Sequence, residues 1–399
     1  MKQYQRVCQH IGVLSLSMLL TSYLTVSGTL PYLIEEFPDR SRASVEMLIS
    51  VPSIPALIML IITPFITRKL SERQLITIAT TAVGIGGILP MFVSQFETIF
   101  AARILLGAGI GLMDARSVSM VGERYAGRLG VTMQGIRVSM ETLGQTLLTF
   151  AAGQLLVFGW HASFAVYLIA FVILAWFLAF VKPLDVVGVQ GLETGEHVAS
   201  AQLPQQADAS CTLDGRGWLQ AVGAALLAVT FFSANTLNSL RIPTLVVDSG
   251  FGSSIAGSTA LSCCVFAGFL GGISFGVLSR LLKRWHMAVS AAMIAIGMTI
   301  VAFAGNILLV VVGSMLVGFS TSNGFALVLN GLSLRFRDRA LTLANTVALT
   351  GCCAGVAATP YILQMVGMVS QALSAPFLAY TIAFSLLAAG SIIVVSLKK

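Results

Sequence analysis

The chain has 399 residues, of which 56% are hydrophobic and only 10% carry a charged side chain. A water-soluble domain carries about 25% charged residues, so this composition excludes a soluble enzyme or binding module and indicates an integral membrane protein. The net charge of +7 does not point to nucleic acid, because the basic residues form no cluster interleaved with stacking aromatic side chains.

Apolar runs of membrane-spanning length recur from one end of the sequence to the other. They predict an all-α membrane protein with twelve transmembrane helices, at residues 9–33, 44–67, 74–94, 98–121, 129–157, 161–181, 218–243, 254–279, 287–304, 307–333, 340–366 and 372–396. No spacing of Cys and His suits a metal ion, and no phosphate-binding glycine motif is present, so we expect neither a metal nor another cofactor.

The positions of Lys and Arg predict the orientation of these helices. With both termini in the cytosol, the cytosolic segments and helix ends hold seventeen basic residues and the outer loops hold two, Arg40 and Arg42. Since basic residues concentrate on the cytosolic side, we expect both termini to be cytoplasmic. The expected location is the cell inner (cytoplasmic) membrane, with the chain passing through it many times.

One long polar stretch divides the sequence into two similar parts. Residues 183–217 are rich in Gly, Ala, Gln and acids and predict a flexible cytosolic linker between six-helix bundles at 1–182 and 218–399. At a shift of 212 residues Arg68 falls on Arg280 and Pro31 falls on Pro243. A nearly constant shift indicates duplication of a six-helix unit, which is typical of secondary transporters.

These features together resemble the major facilitator superfamily. The most specific local sign is "RILLGAGIG", in which Arg103, Gly107 and Gly109 match the R-x-x-x-G-x-G pattern of helix 4 in that family. The loop after helix 2 departs from the family pattern, because Arg68 stands where an Asp is usual. In the second half Gly276 fits the pattern and Arg280 again replaces the acid.

The resemblance implies the two-bundle fold of that family, no enzymatic activity and transport by alternating access. It implies that helices 1, 4, 7 and 10 line a cavity, for which the candidates are Thr21, Tyr23, Asn235, Asn238 and Asn323, and that Arg68, Gly276 and Arg280 lie in cytosolic gate loops. The expected partners are a small-molecule substrate, protons and membrane lipid, with no nucleic acid, and the expected state is a monomer.

The fourth apolar run carries three charged residues, Arg103, Asp114 and Arg116. Since a charge near the bilayer centre costs roughly 2.5–3.5 kcal/mol, each of them needs a partner. At 100° per residue Asp114 lies about 20° from Arg103, and Arg116 points nearly the opposite way. The fifth run adds Arg137 and Glu141, spaced i, i+4. In a hairpin of helices 4 and 5, Asp114 and Arg137 lie at equal depth, which predicts a cluster of Asp114, Arg137 and Glu141 flanked by Arg116.

Three interpretations stay open: a structural staple between helices 4 and 5, a site for protons or substrate, and an Arg116 whose side chain only extends to the cytosolic surface. If the cluster is functional, the leading hypothesis is proton-coupled export of a small organic molecule, with Asp114 or Glu141 as the proton carrier. The alternative is a permease for a small organic or inorganic anion, similar to cyanate permeases. It rests on a charge count of four arginines, Arg103, Arg116, Arg137 and Arg241, against two acids.

Overall fold

A computed structural model describes residues 3–67, 70–125, 127–182, 215–336, 338–370 and 372–397. These residues are helical almost throughout and contain no β-strand. In chain order the helices are α1 (residues 3–36), α2 (residues 42–66), α3 (Glu72–Ile88), α4 (Phe96–Arg124), α5 (Gly127–Leu155), α6 (residues 160–180), α7 (Gly215–Asp248), α8 (Ser254–Leu282), α9 (His286–Ala302), α10 (Ile307–Ser333), α11 (Asp338–Val369) and α12 (Ala375–Leu397).

Three of these helices are interrupted. Helix α1 consists of α-helical ends joined by tighter 3-10 turns, at Gln3–Ser15, Leu16–Leu19, Ser22–Thr29 and Leu30–Glu36. Helix α2 is divided into Arg42–Ser50 and Ser53–Ile66 around Pro52, and α6 begins with the 3-10 segment Trp160–Leu168. Since 3-10 turns pair backbone groups less regularly than an α-helix does, these breaks leave carbonyl groups for side chains to bind.

Nine helices of the described residues are long and apolar enough to cross a membrane, or ten if the bent pair Val7–Leu19 and Ser22–Glu36 is one span. The stretch Ser254–Ala302 counts once, although α8 and α9 are separate helices joined by a turn. Helix α5 is not among these spans, and it carries Arg137 and Glu141. The all-α membrane fold is therefore confirmed, whereas the number of twelve spans is not confirmed.

The described residues in 3–23, 51–145 and 164–182 form one compact unit. In this unit α4 packs against α3 on one side and against Ser53–Ile66 of α2 on another. The first part of α1 packs against α6, and α3 also contacts α6. Helix α4 thus has neighbours on several sides, which is why its polar side chains find partners on other helices.

The described residues in 24–50, 146–163 and 215–397 form the second unit. Here α7 packs against α11, α8 against α10, and α9 against both α10 and α12. The predicted outer ends of α1, α2 and α5 belong to this unit, so its limits differ from those of the predicted bundles 1–182 and 218–399. The division into two bundles stays a prediction. The predicted linker lies outside the described residues, except that residues 215–217 form the first turn of α7.

Candidate functional site

Two glycines allow the neighbours of α4 to approach its backbone closely. A Cβ atom on Gly107 would lie 2.2 Å from the carbonyl oxygen of Pro52 in α2, and one on Gly109 would lie 2.6 Å from that of Ala79 in α3. No larger side chain fits at either contact without a shift of the helices. The two glycines of the R-x-x-x-G-x-G pattern therefore fix which face of α4 meets α2 and which meets α3.

Arg103, near the start of α4, is 1% exposed and is bound by polar groups of α1 and α6. Its Nη1 donates a hydrogen bond to Oη of Tyr167 at 3.0 Å, and its Nη2 donates to the carbonyl oxygen of Tyr23. The Tyr167 hydroxyl donates in turn to the carbonyl oxygen of Ser22 at 2.7 Å. Both carbonyl groups belong to the 3-10 stretch of α1, so Arg103 and Tyr167 together bind the break in that helix.

Asp114 and Arg137 face each other across the hairpin of α4 and α5. Nη1 of Arg137 lies 3.9 Å from Oδ1 of Asp114 and 3.8 Å from Oε2 of Glu141. Both distances are longer than a hydrogen bond. The guanidinium group therefore lies in ion-pair contact with two carboxylates, and Nη1 donates a hydrogen bond to neither of them. With all groups ionised these three side chains carry a net charge of −1, and we call them the central cluster.

The side chains of the central cluster are only partly buried, although they lie well inside both helices. The side chain of Arg137 is 10% exposed, that of Asp114 is 37% exposed and that of Glu141 is 27% exposed. Asp114 and Arg137 each lie about ten residues, or about 15 Å, from the helix ends that the connecting turn joins. One guanidinium group between two carboxylates has charge states of −1 and 0 that differ by one proton, so the arrangement can bind and release a proton.

Arg116 lies on the opposite face of α4 and belongs to a different group of charges. It donates two hydrogen bonds of 2.8 Å to Glu123 and one of 3.0 Å to Oε2 of Glu72. Arg124 also binds Glu72 and donates to the carbonyl oxygen of Lys182 at 2.9 Å. The side chains of Arg116, Arg124, Glu72 and Glu123 sum to zero charge, and we call them the α3–α4 staple. The structure thus divides the four residues of the predicted cluster between two groups.

The position of Glu72 follows from a helix start that the sequence prediction placed two residues too late. Ser71 caps α3 in a capping box, since its Oγ accepts from the backbone N–H of Gln74 and the Gln74 side chain accepts from the backbone N–H of Ser71. Glu72 is the first residue of α3, where the helix dipole favours an acid. The sequence Ser71-Glu72-Arg73-Gln74 contains this capping-box pattern. The pattern places Glu72 in the first turn of α3, where it binds Arg116.

Two of the predicted cavity residues bind neighbouring helices. Asn238 of α7 is buried and donates a hydrogen bond of 3.7 Å to Sγ of Cys264 in α8. Asn323 of α10 is also buried and donates to the carbonyl oxygen of Gly271 in α8 at 2.9 Å. These contacts connect the helices of the second unit. A role of either amide in a transport cavity stays a prediction.

The other predicted cavity residues, Thr21, Tyr23 and Asn235, are half-buried. Thr21 directly precedes the 3-10 segment Ser22–Thr29, and the carbonyl oxygen of Tyr23 accepts the hydrogen bond from Arg103. The backbone of Asn235 accepts a hydrogen bond from the Ser239 hydroxyl at 3.2 Å. Their side chains remain candidates for a cavity lining.

Of the predicted gate-loop residues, Arg68 lies outside the described residues. Gly276 and Arg280 are exposed near the end of α8. A Cβ atom on Gly276 would meet no atom within 4 Å, so local packing does not require a glycine there. A role of Gly276 and Arg280 in gating stays a prediction.

Comparison with known proteins agrees with the fold. The sequence profile of the Major Facilitator Superfamily matches residues 12–360. A crystal structure described as that of a D-xylose-proton symporter superposes with a TM-score of 0.73 over 96% of both chains, at 14% sequence identity, which shows a common fold alone. Among curated proteins none matches the chain. Because the profile covers most of the sequence and the fold agrees with it, the chain belongs to the Major Facilitator Superfamily and is a multi-pass membrane protein that acts as a secondary transporter of small molecules, not as an enzyme.

Proposed function

We propose that this transporter exports a small organic molecule by alternating access, in exchange for protons that bind the central cluster. The observation that carries the proposal is the position of Arg137, whose Nη1 lies 3.8–3.9 Å from a carboxylate of its own helix and from a carboxylate of α4. This is a group of three ionic side chains with an excess negative charge, about 15 Å inside the helices.

The excess charge gives the central cluster a reason to bind a proton. A net charge in a surrounding of low dielectric constant is unfavourable. One proton on Asp114 or Glu141 leaves a neutral pair of Arg137 with the other carboxylate. Alternating access then exposes the cluster to each side of the membrane in turn, so that the proton is taken up on one side and released on the other. The structural relative is described as a proton symporter, which agrees with coupling to protons.

Competition at the central cluster accounts for exchange and hence for export. In its ionised state the cluster offers a second carboxylate to a hydrogen-bond donor of the substrate, such as a hydroxyl or an amine. In its protonated state that carboxyl group is neutral and one of its oxygens carries the proton, so it binds such a donor less strongly. If substrate and proton cannot bind together, each must leave before the other enters, and inward proton flow drives the organic molecule outward. The proposed substrate is therefore a small molecule with hydrogen-bond donors.

The anion permease remains the second candidate, and the paired charges weaken it. Arg116 binds Glu72 and Glu123, and Arg241 lies 3.1 Å from Glu46. Both of these cations, which the charge count treated as an excess, have carboxylate partners. The positive excess that would attract an anionic substrate is thus much smaller than the sequence alone indicates.

Transport in proteoliposomes under an imposed pH gradient tests the proton step. We expect Asp114→Asn and Glu141→Gln to abolish uphill, gradient-driven transport, while exchange of labelled for unlabelled substrate continues because it needs no net proton transfer. Glu123→Gln is the matched control, since it removes a carboxylate of the α3–α4 staple and should keep gradient-driven transport. Normal uphill transport in both Asp114→Asn and Glu141→Gln would eliminate the central cluster as the proton site.

A ligand screen supplies the substrate for this assay. Thermal unfolding of the purified transporter is measured with cationic, neutral and anionic metabolites, because a ligand stabilises the state that it binds by about 2.7 kcal/mol at a concentration one hundred times Kd. We expect stabilisation by molecules with hydrogen-bond donors, weakened in Asp114→Asn. Stabilisation by small anions alone would favour the permease instead.

A further inference from the structure

A partly buried ionic group connects the predicted outer ends of α2 and α7. Oε1 of Glu46 lies 3.1 Å from Nη2 of Arg241 and 3.3 Å from Nε of Arg42, and Nη2 of Arg42 lies 3.8 Å from Oδ2 of Asp248. Arg42 and Glu46 belong to α2, whereas Arg241 and Asp248 belong to α7. We call these four residues the outer cluster.

The burial of its Glu46–Arg241 pair distinguishes the outer cluster from a surface ion pair, whereas the side chains of Arg42 and Asp248 are 36% and 41% exposed. The Glu46 side chain is 1% exposed and that of Arg241 is 14% exposed. Val45, Leu48 and Ile49, close to Glu46 in the sequence of α2, are each 1% exposed, so this part of α2 is buried. An exposed pair contributes little to stability, but separating a buried pair leaves a charge without a partner and is strongly unfavourable. The Glu46–Arg241 pair therefore favours the arrangement in which these two helix ends are together.

Other contacts of the same unit join the two halves of the sequence at this level. Arg42–Ser50 packs against α11 as well, and Leu30–Glu36 of α1 packs against α7. Ser258 of α8 donates a hydrogen bond of 3.1 Å to the carbonyl oxygen of Thr149 in α5. The predicted outer ends of α1, α2 and α5 are thus held to the second half of the chain, and Glu46–Arg241 is the charged contact within this set.

We propose that the Glu46–Arg241 pair is an ionic lock that keeps the predicted outer end of the transporter closed and that must separate for this end to open. The inference rests on the proposed alternating-access function, which requires α2 of the first half to move away from α7 of the second. The lock is separate from the proton step, because the four charges of the outer cluster sum to zero. Glu46 and Arg241 are positioning residues that set the balance between closed and open states.

The lock is tested by the distance between two spin labels across the outer end. Pro38→Cys, before α2, and Ser253→Cys, after α7, are exposed positions for labels, in a background in which the six native cysteines are replaced. Pulsed electron resonance in lipid nanodiscs then gives the populations of short and long distances. In Glu46→Gln we expect the ratio of open to closed molecules to rise roughly tenfold to one hundredfold, because the closed state then buries Arg241 without an anion.

Glu36→Gln is the matched control, since it removes an exposed carboxylate from the same end of the molecule and should leave the distances as they are. Arg241→Gln should shift the ratio in the same direction but by less, because Glu46 keeps Arg42 as a partner, and the double variant should add little to Glu46→Gln, since the contact between α2 and α7 is already removed. A lower unfolding temperature in Glu46→Gln with an unchanged distance distribution would show that the pair is structural only, and it would overturn the lock.

The same labels separate a failure of the lock from a failure of the proposed function. If pH or an identified ligand opens the outer end equally in the original protein and in Glu46→Gln, alternating access stands and the lock is wrong. If the distance distribution is the same in every variant, at every pH and with every ligand, alternating access at this end is refuted together with the lock.

Discussion

Glu72 binds two arginines at once, and its replacement tests whether the α3–α4 staple is structural. Its Oε2 accepts a hydrogen bond of 3.0 Å from Arg116, and its Oε1 accepts one from Arg124. Arg124 is 1% exposed and also donates to the carbonyl oxygen of Lys182. Glu123, in contrast, binds Arg116 alone within the staple, and its side chain is 33% exposed.

The two carboxylates should therefore differ in their effect on stability. In Glu72→Gln one acceptor oxygen remains, but Arg124 loses its carboxylate and is left charged and buried. Breaking a buried ion pair costs about 3–5 kcal/mol, and because the Glu72 side chain is 19% exposed and the amide keeps one hydrogen bond, we expect the free energy of unfolding to fall by about 2–3 kcal/mol. In Glu123→Gln, Arg116 keeps Glu72, so we expect a loss of about 1 kcal/mol or less.

The assay compares apparent unfolding temperatures of the two variants in one detergent and at one scan rate, because membrane proteins often unfold irreversibly. We expect the order original protein, Glu123→Gln, Glu72→Gln, with gradient-driven transport per folded molecule unchanged in both. Equal losses of stability would contradict the assignment of two arginines to Glu72. Loss of proton coupling in a stable Glu72→Gln protein would place the staple in the transport machinery and refute the separation of the two charge groups.

Two further predictions concern the packing and hydrogen bonds of α4. Gly107→Ala should lower the free energy of unfolding by about 1–3 kcal/mol, because its Cβ meets a backbone carbonyl of α2, whereas Gly135→Ala on α5, where a Cβ meets no atom within 4 Å, should raise it by up to about 1 kcal/mol. Thermal unfolding in detergent measures both, and the same sign in both variants would contradict the close contact. Tyr167→Phe should destabilise the protein by about 1–3 kcal/mol, because Arg103 loses an acceptor and a carbonyl of α1 loses a donor. An unfolding temperature equal to that of the unmodified protein would contradict that role.

Much of this fold is predictable because a membrane imposes simple rules. Long apolar runs, the family pattern around Arg103 and the absence of nucleotide motifs predicted an all-α transporter of the major facilitator superfamily, and the family and the fold are confirmed. Helical periodicity and the symmetry of a hairpin put Asp114 and Arg137 at one depth, and the structure brings them within 3.9 Å. Helical periodicity also predicted Arg116 on the opposite face of α4, and in the structure Arg116 lies on that face, with Glu72 and Glu123 as partners.

The partners on distant helices were not predictable in the same way. Glu72 and Arg116 are separated by 44 positions, and Glu46 and Arg241 by many more, so no local period connects them. Glu72, the acid at the start of α3, was assigned to a loop. Arg42 lies four residues before Glu46, which indicates a local pair, but nothing in the sequence connects Glu46 with Arg241. The 3-10 conformation of α1 could not be predicted from the sequence either, because Arg103 and Tyr167, from other helices, bind the backbone carbonyl groups of this stretch.

Charge balance distinguishes the three ionic groups and is the reason why the central cluster is proposed as the site for a proton. The α3–α4 staple and the outer cluster each contain two cations and two carboxylates within 4 Å contacts, so adding a proton to either creates an excess positive charge. The central cluster contains one cation and two carboxylates, so a proton removes an excess charge there. Within a membrane the first change is unfavourable and the second is favourable. An ionic group with no net charge is suited to hold helices together. A group with a net charge of −1 is suited to bind a proton and to exchange it for a substrate.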